Sequence, residues 1–250
     1  MDEQRNTRIK RNALYGPLAL ILLTVAAIIF MSLFFRVSII QVVNDTVYTD
    51  EEILAASGLE KGVNLLFINN FSAVSSIYAT MPYVESVSLK RAMPNRIILD
   101  VTGSEAVACV SFGDDYWLIN PNGKLLEKIV AKEAQNFIRV EHMEPMQPVA
   151  GEIMQVREQD AGKDVYLYEL LNTFQKRGLS KKIDWVDLED LNDPQFSFEE
   201  RLTVHLNGSE EMGLRLTLVE SAINQLASGD AGVLEVDSNT GSNRVYFSPN

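Results

Sequence analysis

The alternation of apolar and polar residues divides the chain into an uncharged leader and a long series of short periodic segments. From Ala13 to Phe35, "ALYGPLALILLTVAAIIFMSLFF", 23 residues pass without a charge. A helix rising about 1.5 Å per residue over that length crosses a hydrocarbon core of about 30 Å. Pro17 falls in its first turn, where a missing N–H costs little. The β-branched run "RVSIIQVVN" follows at once and predicts a strand. In "YTDEEILAASGLEKG", Thr49 and Glu52 have capping-box spacing, Asp50 and Glu51 suit a first turn, and Gly58 suits a helix end. A second helix is expected from Phe71 to Met81, with Phe71, Val74, Ile77, Tyr78 and Met81 on one face. Pro82 stops it. Val87 and Leu89 then alternate with Ser86, Ser88 and Lys90, "RAMPN" turns, and Ile97, Leu99 and Val101 form the inward row of a return strand. On this reading Lys90 and Arg91 cap a hairpin tip in solvent.

The remainder continues in shorter pieces. "AVACV" is a buried strand that holds the single cysteine, Cys109, as inert packing. "DDYWLINPNGKLLE" predicts two strands about an Asn122-Gly123 turn. After the Pro-rich "EPMQPVAGE", Leu167, Leu170, Leu171 and Phe174 give the inner face of a helix from about Asp164 to Lys176, stopped by Gly178. Strands are expected at Ile183–Leu188, Leu202–Leu206 and about Met212–Leu216. A helix carrying Val219, Ile223 and Leu226, then "GVLEVD" and the terminal "RVYFSP", complete the pattern. The fold class is α+β.

Charge gives the leader a direction. Residues 1–12 carry +2 and the rest −14, together the −12 of the whole chain. Basic residues ahead of the span place residues 1–12 in the cytoplasm and the acidic bulk outside. "FFRVSII" has no small-x-small cleavage site, so residues 13–35 are expected to stay as a signal anchor. An exterior this acidic repels nucleic acid and anionic lipid as main partners.

Catalytic chemistry is hard to find. His142 and His205 stand outside any His-Glu-x-x-His pattern, and no Gly-x-Ser-x-Gly elbow, Walker loop or Gly-x-Gly-x-x-Gly fingerprint occurs. Alternation in "LTVHLNG" turns His205 away from Leu202, Val204 and Leu206. The acidic ladder Asp184, Asp187, Asp190 and Asp193 lacks the calcium-loop glycine, and its interleaved Ile183, Trp185, Val186 and Leu188 suit a strand running into a turn. An envelope enzyme or metal-dependent sensor built on that ladder is the alternative to a chain with no enzyme activity, cofactor or metal.

The order "VVN", "YTDEEIL", "SGLEKGVNLLFIN", "MPYVESVSLKRAMPNRIILDV" and "SEAVAC" directly behind an anchor resembles the POTRA domain of the FtsQ/DivIB cell-division family. The resemblance runs from residue 37 to 249. It implies a β-α-α-β-β POTRA domain over 37–103 and a mostly antiparallel β domain with packed helices over 104–250. It also implies a non-enzymatic scaffold at the division septum. Such a scaffold holds FtsL-type and FtsB/DivIC-type coiled-coil membrane proteins and helps regulate septal peptidoglycan synthesis, with other divisome components as further partners. In that family the C-terminal strand receives a partner segment by strand addition, which points to Arg244, Val245, Tyr246, Phe247 and Pro249. Where some members carry an Arg-Tyr pair, this chain has Ser238, Asn239 and Thr240.

Overall fold

The computed structural model describes residues 3–208, 210–237 and 244–250, with side chains from Tyr15 onward. They form two compact units, residues 1–80 with 84–103 and residues 81–83 with 104–250. Ser238, Asn239 and Thr240 lie outside the described residues.

The first unit begins with helix α1 (Glu3–Phe34), whose segment Tyr15–Phe34 is uncharged throughout and exposed, and Pro17 lies inside this helix rather than in its first turn. Strand β1 (Ile39–Asn44) follows, then helix α2 (Asp50–Ser57). The expected caps of α2 are in place. Thr49 accepts from the Glu52 N–H, the Glu52 carboxylate accepts from the Thr49 N–H, and Gly58 ends the helix at φ 63°. This lowers the Glu52 carboxyl pKa, chiefly through the Thr49 backbone hydrogen bond. A 3-10 turn at Leu65–Phe67, capped by the Asn64 side chain, leads into helix α3 (Asn70–Thr80). Strands β2 (Val84–Ala92) and β3 (Arg96–Gly103) complete the unit.

The sheet order is β1-β3-β2, with β1 parallel and β2 antiparallel to the central strand. Ile97, Leu99 and Val101 on β3 are buried, as alternation predicts, together with Val37, Ile53, Leu65, Ile77 and Val84. The inner face of α3 differs from the periodic reading. Ala73 and Ile77 are buried, whereas Phe71 is 80% exposed and Tyr78 is 37% exposed. Phe71 lies at the helix start, ahead of the turn that meets the sheet.

Arg91 is exposed, as expected, but it is also anchored. Period 2 continues the row Val87, Leu89, Arg91, which puts the guanidinium on the helix side of the sheet. There Nη2 donates to the Ile68 carbonyl at 2.7 Å and to Asn70 Oδ1 at 3.0 Å. Lys90, on the opposite face, is solvated and pairs with Asp100 at 3.6 Å.

The second unit is a nine-stranded sheet with helices. Its strands are β4 (Ala108–Phe112), β5 (Asp115–Ile119), β6 (Leu125–Ile129), β7 (Ile138–Glu141), β8 (Ile183–Asp187), β9 (Gln195–Phe198), β10 (Leu202–His205), β11 (Gly232–Val236) and β12 (Val245–Pro249). Its helices are α4 (Ala131–Ala134), α5 (Lys163–Arg177) and α6 (Met212–Ile223). The sheet order is β12-β11-β10-β9-β8-β7-β4-β5-β6. Five of its eight pairings are antiparallel, and β4–β7, β7–β8 and β10–β11 are parallel.

Helix α5 supplies Leu167, Leu170, Leu171 and Phe174 to the core, with Phe174 edge-on to Phe196 at 5.2 Å. The expected strand at Met212–Leu216 is instead the start of α6. Its alternating leucines fit period 2, yet Met212, Leu216 and Val219 at i, i+4 and i+7 are the buried set and Leu214 is exposed. Two arginines fasten this helix. Arg215 donates to the carbonyls of Leu206, Asn207 and Glu210, and Arg177 on α5 donates to Gly213 O, Thr217 Oγ1 and Glu220 Oε1. On the other face of β4–β6, Cys109 is buried with Leu118, Leu126, Ile129 and Ala134. Burial pushes its thiol pKa up to about 12, so it stays a neutral thiol.

Two outcomes follow from this packing. Arg91→Lys breaks the bidentate grip on Ile68 and Asn70, and hydrogen exchange at Leu65–Ala73 should quicken several-fold for a loss of about 1 kcal/mol. At Gly232 an added Cβ would collide with the Ser248 carbonyl and approach Pro249 Cα at 2.9 Å. Gly232→Ala should therefore cost about 2 kcal/mol or more in denaturant unfolding and loosen β12 first.

Candidate partner-binding edge

Strand β12 closes one end of the nine-stranded sheet, and among the described residues no strand lies beyond it. Its register against β11 pairs Val245 with Val236, Tyr246 with Glu235, Phe247 with Leu234, Ser248 with Val233 and Pro249 with Gly232. Asp237 N–H donates to the Arg244 carbonyl at 3.0 Å, and Asn250 N–H donates to the Ala231 carbonyl at 3.1 Å. Antiparallel pairs alternate between bonded and non-bonded positions. These two bonds therefore fix the parity of the whole strand. Arg244, Tyr246, Ser248 and Asn250 turn their backbone groups toward β11. Val245 and Phe247 turn both N–H and C=O to the open side, and Pro249 offers a carbonyl alone.

The side chains alternate the other way. Val245 and Phe247 are half-buried and pack against the main core, lining a shallow groove of about 270 Å³ with Leu218, Ala222 and Leu226. Tyr246 is 52% exposed on the opposite face, where Arg244 and Ser248 are also exposed. Thus one short strand brings together two outward peptide groups, an apolar groove on one face, and an exposed aromatic and a cation on the other. Sequence reasoning had singled out the strand residues but not Leu218 and Ala222. The i, i+4, i+8 spacing of Leu218, Ala222 and Leu226 was the available signal, masked by reading the start of α6 as a strand.

The acidic ladder does not converge on one point. Asp184 accepts from Ser197 Oγ and Glu200 N–H, and Asp190 accepts from Asn192. Asp193 Oδ2 meets His205 Nδ1 at 2.7 Å, and its Oδ1 accepts from Asn207 N–H. Asp187 Oδ1 meets His142 Nδ1 at 2.8 Å and accepts from Glu189 N–H. That hydrogen bond, before the Coulomb attraction of the same carboxylate, raises the His142 pKa. Each acid thus ties its own turn or strand end. His205, on the outer face as alternation placed it, anchors the Asp193 turn.

Comparison with known proteins follows the same outline. Residues 35–102 match the FtsQ-type POTRA domain. The chain is 22% identical over 192 residues to a Clostridium tetani protein named cell division protein DivIB, covering 77% of this chain and 71% of that protein. It is 29% identical over 108 residues to the DivIB of Clostridium acetobutylicum, covering 43% of each chain. It is also 29% identical over 89 residues to the cell division protein FtsQ of Corynebacterium glutamicum, covering 36% of this chain and 40% of that one. The last two alignments span less than half of the relatives' length. With the β-α-α-β-β unit behind an apolar helix and the mixed sheet that follows it, the chain is similar to the FtsQ/DivIB cell-division proteins, and its residues 35–102 are an FtsQ-type POTRA domain.

Proposed function

We propose that this chain is a membrane-anchored scaffold of the cell-division machinery that captures a segment of another membrane protein along β12. The relatives' names supply the division role. The observation that carries the binding mode is the parity of β12, which leaves the N–H and C=O of Val245 and Phe247 facing outward. An extended peptide laid along that edge gains main-chain hydrogen bonds, and its alternate side chains enter the groove formed with Leu218, Ala222 and Leu226. Tyr246 supplies aromatic area and Arg244 a charge for a partner carboxylate. Pro249 has no N–H and ends the ladder. The partners in this reading are FtsL-type and FtsB/DivIC-type bitopic coiled-coil proteins. Residues 1–12 lie in the cytoplasm, both folded units lie outside, residues 37–103 and 104–250 are the working domains, and the site of action is the septum. The scaffold carries no catalytic step of its own.

Two measurements test this. Full-length protein and a form lacking 244–250, each purified from native membranes, should differ by loss of a small bitopic coiled-coil partner from the truncated form. Unchanged recovery sinks the assignment. Proline substitutions then exploit the parity. Val245→Pro removes an outward N–H and should lower partner capture at least tenfold with a modest loss of stability. Tyr246→Pro removes a bond to β11 and should instead destabilise the β11–β12 ladder itself, by about 3 kcal/mol.

A further inference from the structure

The exit of the membrane helix is strapped to the first sheet unit. Val37 N–H donates to the Val63 carbonyl at 2.9 Å, Gly62 N–H to the Val37 carbonyl at 2.8 Å and Leu65 N–H to the Phe35 carbonyl at 2.7 Å. The Asn64 side chain reaches further back, to the Met31 carbonyl at 3.3 Å. Because the two segments run antiparallel, the chain from Gly62 to Leu65 heads toward the helix, and Leu65 stands level with Phe35. The span Tyr15–Phe34 has 20 residues. At about 1.5 Å each they fill a hydrocarbon core of about 30 Å, so its outer boundary falls at Phe34. The 3-10 turn Leu65–Phe67 therefore sits at the bilayer surface.

What it shows there is apolar. Phe67 is 86% exposed, Phe71 80% and Val63 41%. No charged residue stands between Lys61 and Glu85, in a chain of which 22% is charged. Arg36, Glu60 and Lys61, all exposed, flank the patch on the side of the helix exit. Arg91 holds the same loop from the sheet side through Ile68 and Asn70, so the two rings ride on a fixed platform.

We propose that Phe67 and Phe71, with Val63, insert into the outer leaflet beside the helix, so that the first unit rests on the bilayer. The occupant of the patch is the chain's own membrane, reached without any second protein. Exposed aromatic side chains beside a membrane helix partition about 5–10 Å into the interface between headgroups and acyl chains. This rests on α1 being inserted in a bilayer, and the experiment below reads that separately.

The test uses full-length protein, one copy per lipid nanodisc of phosphatidylcholine and phosphatidylglycerol. An environment-sensitive fluorophore is attached at Leu33→Cys, Phe67→Cys, Phe71→Cys or Val47→Cys, and brominated acyl chains act as quencher. Cys109 is buried and does not label, which unsubstituted protein controls. The replaced phenylalanines are exposed, so the fold survives their loss. Quenching by about half or more is expected at Leu33, Phe67 and Phe71, against almost none at Val47, which is exposed beyond the end of β1 away from α1. Strong quenching at Leu33 with water-like emission at 67 and 71 overturns the proposal while leaving the anchor intact. Shielding at 67 and 71 that appears only in discs holding two copies overturns it in favour of self-association. No quenching at Leu33 removes the anchor, and the proposal with it.

Discussion

A peptide N–H or C=O that loses water without gaining a partner costs free energy comparable to a lost hydrogen bond, and every sheet must end somewhere. In the second unit that constraint falls on the two edge strands, β6 and β12. Eight pairings satisfy the interior of the sheet, and among the described residues β12 is left with alternate peptide groups on an unpaired flank. The neighbouring features all serve to hold this flank in place. Gly232 leaves room for Ser248 and Pro249 to close on β11, and the half-buried Val245 and Phe247 seat the strand against α6. Arg177 and Arg215 in turn fix α6 through carbonyls that the helix and the preceding loop expose. Among the described residues the edge is thus packed on one side and unpaired on the other, the arrangement that the proposed strand addition requires.

Local signals predicted the elements whose caps and breakers are written in the chain. Thr49 with Glu52, Gly58, Pro82, the Asn122-Gly123 turn and Gly178 each mark a boundary that the structure reproduces. The failures share one physical cause, since periodicity reports a pattern but not which neighbour will cover it. Leu214 and Leu216 alternate as in a strand, and burial of Met212, Leu216 and Val219 in the main core selects the helix. Phe71 fits the apolar row of α3 but precedes the turn that meets the sheet. Arg91 is exposed as its charge suggests, and its position in the row after Val87 and Leu89 adds the bonds to Ile68 and Asn70 that charge alone does not reveal. Strands β7 and β9 carry four residues each, as β10 does, but fall outside the segments that the sequence pattern singled out.

The candidate edge was legible only as far as the terminal segment itself. Alternation in "RVYFSP" set Val245 and Phe247 against Tyr246, and the structure keeps that division. Which peptide groups face outward was not legible, because it depends on the register with β11 through Asp237 and Asn250. The acidic ladder shows the converse. Four aspartates within ten residues suggest a shared ligand in one dimension, but in three dimensions each serves a different hydrogen-bond donor.

The strap between Phe35–Val37 and Gly62–Leu65 has a mechanical consequence. A flexible tether would absorb any turning of the membrane helix about its long axis. Here the helix exit is hydrogen-bonded to the loop that Arg91 clamps to β2, so torque applied within the bilayer is delivered to the three-stranded sheet as rotation. The helix and that sheet behave as handle and blade of one tool.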